Sequence, residues 1–313
     1  MEPTIEQKFD AQKELLLGDS ALVSTKHRIF LGDAREMTEL QSPASVHLVV
    51  TSPPYWTLKE YDGEAGDDQL GHLDDYQLFH AELARVWKRC FDLLIPGGRL
   101  CVVVGDVCLP RRKTGRHLVM PLHADIAMHC RCIGFDYLTP ILWYKIANAA
   151  TEVVGNGSPF LGKPYEPNAV IKNDVEYVLL FRKPGGYRNP TQFQRTMSLI
   201  AKEDHARWFR AIWADVPGSS RERGHPAPYP VELAYRLIRM FSFVGDTVLD
   251  PFVGTGTTTE AAMNAARSSI GYEIEPKYIA MMKERFAQLR TEAEITFADG
   301  AAVGTAHVLS QIG

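Results

Sequence analysis

Between residues 247 and 266 a short apolar strand, TVLD, runs into the turn PFVGTGT and directly on into a helix-forming segment. No other feature constrains the fold as strongly. Gly254 and Gly256 let the backbone approach a ligand closely. The helix start at Thr257 and Thr258 offers hydroxyls and free N–H groups to an anionic group such as a phosphate or carboxylate. The strand carries Asp250 to the mouth of this turn, where it either contacts a ligand or orders the loop. Twenty-three residues later Glu273 ends the next apolar run, a position suited to two ribose hydroxyls. No lysine follows the glycines, which excludes a P-loop. Sites for a dinucleotide and for an adenosyl cofactor both remain open.

The rest of the chain repeats the strand–helix alternation. HRIFLGD reads as a strand entering a loop at Asp33, and Val46–Val50 as a buried strand stopped by Pro53-Pro54. Helical spacing from Tyr76 to Leu94 is broken at Pro96-Gly97-Gly98, before a strand at Leu100–Val104. A helix is expected over 118–133 and strands over 137–144 and 175–181. After Pro230 come a helix, the strand 247–249, the glycine turn, a strand at 269–272 and a helix over 276–289. This pattern predicts an α/β fold with a doubly wound, parallel sheet. The segments divide as 1–26, a polar extension; 27–145; an irregular insert, 146–224; 225–290; and a tail, 291–313.

No apolar run reaches the roughly 20 residues of a membrane span, and the N-terminus is too acidic for a secretory signal, so a cytoplasmic protein is expected. Five scattered cysteines argue against a disulfide framework, and no metal site is expected. The formal charge of -4 says little about partners. Between Arg182 and His225, however, nine basic residues stand against four acidic ones, which makes a phosphate-facing patch plausible.

The segment TSPPYW, 51–56, carries the second constraint. Two prolines fix the backbone and remove two donors, leaving bare carbonyls. Ser52 adds an acceptor before them and Tyr55 a flat face after them. Such a loop suits a planar aromatic amine, whose N–H groups need acceptors and whose ring needs a stacking surface.

TSPPYW resembles the catalytic motif of amino-group DNA methyltransferases, and DPFVGTGTT resembles their cofactor loop. Their order resembles the circularly permuted beta group of that family. IFLGD, IPGGRL, ILWYK, HPAPYP and IGYEIEPKY agree with it, so that the likeness spans roughly 27–290 apart from the insert. The resemblance implies a Rossmann-like sheet that binds S-adenosylmethionine and acts on double-stranded DNA with a flipped-out base. It implies Ser52, Pro53, Pro54 and Tyr55 as the catalytic residues. Ser52 Oγ and the Pro53 carbonyl would accept the amino hydrogens, and Tyr55 would stack on the base. No cysteine sits in the Pro-Cys context of 5-methylcytosine chemistry.

For the cofactor the resemblance implies Glu273 on the ribose, Asp33 on the adenine edge and Phe252 against the ring. Gly254, Gly256, Thr257 and Thr258 would surround the methionine end, with Pro226 and Pro228 closing over it. Lys145 would lie near the active face, and Trp56 is expected in the core. In this family a serine before Pro-Pro goes with N4 of cytosine, an aspartate or asparagine with N6 of adenine. Recognition is expected from the insert, with Arg188, Arg195, Arg207 and Arg210 facing DNA and Arg111 and Arg112 clamping its backbone. A cognate restriction endonuclease acting separately and a monomeric or homodimeric state fit the same picture. The competing expectations are adenine-N6 methylation on the same scaffold, RNA methylation, a binding module without catalysis, and a nicotinamide-dependent oxidoreductase. The last explains the glycine turn but not TSPPYW.

Overall fold

The short β-branched runs pair side by side because each carries apolar residues on both faces. In the computed structural model the described residues are 24–56, 69–109, 111–145, 173–218, 229–289, 293–299 and 302–304. The strands are β1 (Lys26–Leu31), β2 (Val46–Thr51), β3 (Leu94–Val104), β4 (Val107–Leu109), β5 (Leu118–Met120), β6 (Asp136–Tyr137), β7 (Ile141–Tyr144), β8 (Val175–Arg182), β9 (Ile212–Trp213), β10 (Thr247–Asp250), β11 (Ser268–Glu273), β12 (Glu294–Asp299) and β13 (Ala302–Gly304). The main sheet runs β13-β12-β1-β11-β10-β2-β3-β8-β7-β9, and β6 also pairs with β8. From β12 to β3 every pairing is parallel, whereas β8 lies antiparallel between β3 and β7.

Among the described residues eight α-helices accompany these strands: α1 (Tyr76–Leu93), α2 (Arg111–Thr114), α3 (Leu122–Ile133), α4 (Gln192–Met197), α5 (Lys202–Trp208), α6 (Val231–Phe241), α7 (Thr257–Asn264) and α8 (Pro276–Ala287). Strand alternation divides the core in two. Val49, Leu100, Val102 and Leu249 point to one face, where Leu83, Trp87 and Cys90 of α1 and Ile126 and Cys130 of α3 cover them. Leu48, Val50, Cys101 and Val248 point to the other, under Leu233 and Leu237 of α6 and Ala261 and Ala262 of α7. Burial on both faces is why these strands read as continuous apolar runs.

Three expectations are corrected. The helix expected from 118 starts at Leu122, because Pro121 interrupts it and Leu118–Met120 pairs with Val107–Leu109 in a hairpin. The strand expected over 137–144 is two strands separated by Pro140, which cannot donate to a ladder. The strand expected at 175–181 within the insert forms as β8, which bonds along β3 from Arg99↔Arg182 to Val104↔Tyr177. The tail after 290 contains β12, parallel to β1, with Ile295 and Phe297 buried beneath α8. Of the extension expected over 1–26, residues 1–23 lie outside the described residues, and Lys26 already belongs to β1.

Candidate active site

The two sequence motifs, about 200 positions apart, meet because β2 and β10 are neighbours in register, Val248 opposite Leu48 and Leu249 opposite Val49. Their carboxyl ends therefore deliver Ser52 and Pro251 to the same place. From β10 the chain crosses to β11 on one side, while β2 leads to β3 on the other. This is the topological switch point of a doubly wound sheet, where a crevice opens. A cleft of about 680 Å³ lies there. Ser52 and Pro54 line one end, Pro251, Phe252 and Gly254 the floor, and Asp33, Glu273 and Tyr278 the other end.

Glu273 is the most informative group in the cleft. Its Oε2 accepts from Gly254 N at 2.9 Å and its Oε1 from Glu275 N at 2.9 Å. With Ile274 N–H also facing it, the carboxylate's roughly four acceptor sites still leave room for an incoming hydroxyl. Burial pushes its carboxyl up to about 7, against the lowering effect of those N–H groups. A carboxylate so placed needs a neutral, hydroxyl-rich partner such as a ribose. Gly254, at φ 55, presents its N–H to Glu273 from a left-handed conformation. Asp33 also lines the cleft, tethered to Arg35 by Nε at 2.8 Å. Leu70, Gly71 and the buried pair Gln69 and Glu275 close that end. The sequence reading missed these four. Glu275, two residues after Glu273, was legible as a second acidic position.

Asp250 orders the turn and does not line the cleft. It is buried, and Thr51 Oγ1 at 2.6 Å and Phe252 N at 3.0 Å both donate to its Oδ1. Thr258 and Tyr229 donate to its Oδ2. Thr257 and Thr258, expected at the methionine end, are both buried, and the Thr258 hydroxyl bonds Asp250 and Tyr229. Gly256 serves packing as well. At φ +85, a Cβ there would stand 2.5 Å from Phe286 Cζ and 2.8 Å from Met282 Cγ. Pro226 and Pro228 lie outside the described residues.

At the other end, Ser52 Oγ donates to Tyr55 Oη at 3.3 Å, and Tyr55 Oη donates to Glu176 Oε2 at 3.2 Å. Tyr55 and Pro53 are mostly buried, and Ser52 and Pro54 are the residues of this loop that line the cleft. Trp56 is in the core, donating from Nε1 to Leu73 O at 2.8 Å, and its φ of 46 is a strained conformation for an aromatic residue. That bond and the edge-on contact with Tyr76 hold the loop in shape. Lys145 pairs with Glu176 at 2.5 Å.

The arginines separate into two groups. Arg111 and Arg112 belong to α2, in the hairpin that leaves the carboxyl end of β3 on the cleft side, and Arg112 is exposed. Arg188 does not reach this face. It bonds Asp246 at 2.5 Å, just before β10, at the opposite end of the sheet. Arg195 lines a separate depression beside it. Arg207 pairs with Asp215 at 2.9 Å, and Arg210 donates to Ala206 O at 2.9 Å ahead of β9. Of the described basic residues in this run, Arg182, Arg188 and Arg207 pair with carboxylates of the fold, and Arg221 and Arg223 lie outside the described residues.

A cleft at the switch point, an acidic strand end with spare acceptor lone pairs and a rigid acceptor loop across from it define a Rossmann-like methyltransferase. The model of the DNA methylase family of N6 and N4 enzymes matches residues 46–284. Type II methyltransferase M.MjaI of Methanocaldococcus jannaschii is 38% identical over 291 residues, covering 84% of this chain and 92% of that protein. M.MthZI of Methanothermobacter thermautotrophicus is 36% identical over 283 residues, covering 84% and 77%. TTHA0409 of Thermus thermophilus, named for DNA modification and solved with S-adenosyl-L-methionine bound, is 52% identical. It superposes with a TM-score of 0.73 over 88% of this chain and 99% of its own. The PvuII cytosine-N4-specific enzyme shares the fold at 21% identity and a TM-score of 0.58, over 84% of this chain and 87% of its own. The chain belongs to the DNA methylase family and is an S-adenosylmethionine-dependent DNA methyltransferase of the amino-group type.

Proposed function

We propose that this enzyme methylates the exocyclic N4 of cytosine in double-stranded DNA, taking a base flipped into the Ser52 end of the cleft. The observation that carries the reading is the placement of Ser52, a hydroxyl acceptor, in the same cleft as Glu273. S-adenosylmethionine supplies a methyl group activated on a sulfonium. Glu273 takes the ribose hydroxyls, Asp33 the adenine edge, and Phe252 packs on the ring. Ser52 Oγ and the Pro53 carbonyl accept the amino hydrogens, so that the nitrogen lone pair turns from the base ring toward the methyl. Positioning supplies most of the acceleration, because an amine held in line needs no covalent help. Flipping costs a few kcal/mol, which stacking in the site offsets in part. The cleft-side hairpin with Arg111 and Arg112 contacts the DNA backbone. A separately acting restriction endonuclease of the same specificity belongs to this reading, as do the type II names of the relatives.

The test is to incubate the protein with unmethylated genomic DNA and S-adenosylmethionine, digest to nucleosides and identify the product by mass spectrometry. N4-methylcytosine is expected. N6-methyladenine would overturn the choice of base while leaving the fold and cofactor intact.

A further inference from the structure

Behind Ser52 lies a line of polar groups that the methyl acceptor itself does not require. Ser52 Oγ donates to Tyr55 Oη at 3.3 Å, Tyr55 Oη to Glu176 Oε2 at 3.2 Å, and Lys145 Nζ to Glu176 Oε1 at 2.5 Å. The groups come from the β2 loop, the start of β8 and the end of β7, which antiparallel pairing brings to the same edge. Gly105, at the end of β3, makes room for them. A Cβ there would lie 3.2 Å from Glu176 Cγ and 3.4 Å from Tyr55 Cε2. Tyr55 and Glu176 are mostly withdrawn from solvent, with the Glu176 side chain 13% exposed and that of Lys145 26%.

We infer that Ser52, Tyr55, Glu176 and Lys145 form a proton exit for the transfer step, with Glu176 as the acceptor. The inference rests on Ser52 as the group that meets the amine. The amine nitrogen forms its new N–C bond as the C–S bond breaks, and the sulfur keeps that electron pair. The nitrogen is then cationic and must lose one proton. Both hydroxyls already donate away from the cleft, so the lone pairs of Ser52 Oγ face the amine. The proton passes to Ser52 Oγ, the Ser52 proton to Tyr55 Oη and the Tyr55 proton to Glu176 Oε2. Glu176 ends protonated beside Lys145, at the solvent edge, and releases the proton to water. Apo distances of 3.2–3.3 Å are loose for O–H···O bonds and tighten when a site fills.

The test is single-turnover methyl transfer by Glu176→Gln, Tyr55→Phe and their double variant. Affinity for S-adenosylmethionine and base flipping, read by 2-aminopurine fluorescence at the target position, are measured beside it. Each single variant is expected to lose tenfold or more in rate. The double variant should fall no more than about threefold further, since members of one chain act as a unit. Cofactor affinity and the flipping signal should hold within about twofold. Lys145→Met, which leaves Ser52, Tyr55 and Glu176 intact, gives a second reading if Glu176→Gln fails to fold, and it too should slow transfer. A Glu176→Gln rate within twofold of wild type overturns the exit, as does a rate loss that tracks a lost flipping signal. Wild-type turnover in Ser52→Ala would instead overturn the reading of Ser52 itself.

Discussion

Glu273 should make cofactor affinity depend on pH, with a sign that the structure dictates. Burial pushes its carboxyl up to about 7, outweighing the backbone N–H groups of Glu275, Gly254 and Ile274 that face it. The ionised form accepts ribose hydroxyls more strongly, by about 1.5–3 kcal/mol for a bond to a charged group. At pH 6 only about one-tenth of the sites are ionised and at pH 8 about nine-tenths, so affinity should weaken up to about ninefold on going from 8 to 6. The cofactor's own amino group, at about 7.7–8.0 when unperturbed, titrates in the same window. Glu273→Gln separates the two, because it keeps the ligand's titration and removes the protein's. Isothermal titration calorimetry across pH 6–8 is the assay. The variant should bind about 10–100-fold more weakly at pH 8, the equivalent of that charged bond, and should lose the wild-type component of the slope. Identical slopes, or an unchanged dissociation constant, would refute the argument. The same shift bears on stability. A carboxyl raised in the folded state contributes most below its unfolded value near 4.5, and that contribution is lost as pH rises through about 7. The free protein should therefore lose this part of its stability toward alkaline pH while cofactor binding improves.

Ser52→Ala should lose most turnover while S-adenosylmethionine binding survives; a filter-binding and turnover pair checks both, and full turnover would remove Ser52 from catalysis. Gly256→Ala places a methyl against Phe286 and Met282 in a left-handed backbone and should cost about 2 kcal/mol or more, seen as a lowered melting temperature. Arg188→Ala should leave DNA affinity within about twofold but destabilise the fold by about 1–3 kcal/mol, because the buried Asp246 carboxylate loses its closest cation and keeps Phe243 N and the more distant His47. An unaltered melt with weakened DNA binding would return Arg188 to the DNA interface.

Much of this architecture was legible because the strands are buried on both faces and the glycine turn sits between clear periodicities. Val46–Val50 and Leu100–Val104 read as strands from β-branched runs alone, and both are strands in the structure. Register and long-range pairing were not legible. Nothing local in EITFAD says that it lies beside KHRIFL, since that choice depends on α8 needing Ile295 and Phe297 beneath it. Site residues divided the same way. Glu273 and Gly254 were found because their roles follow from the backbone at a strand end. Thr258 is ambiguous in the sequence because a hydroxyl at a helix start is equally good for a ligand or for a buried carboxylate, and only the fold shows Asp250 and Tyr229 at that hydroxyl. Charge counting likewise cannot see that Arg188 and Arg207 meet Asp246 and Asp215, which arrive from elsewhere in the chain.

The bond between Thr51 and Asp250 explains how an acceptor loop and a cofactor loop so distant in sequence stay in step. Thr51 immediately precedes Ser52, and Asp250 immediately precedes Pro251, so a 2.6 Å bond between them fixes one loop against the other at the strand ends. Asp250 gathers Phe252 N, Thr258 and Tyr229 into the same cluster, and burial raises its carboxyl above the usual range. The cluster therefore depends on a buried carboxylate whose bonds all come from the fold rather than from a ligand. Chain order does not enter this geometry, because what matters is that β2 and β10 are adjacent and in register. A permuted arrangement of the same strands would keep the site, and it is this adjacency that lets the acceptor motif precede the cofactor turn here.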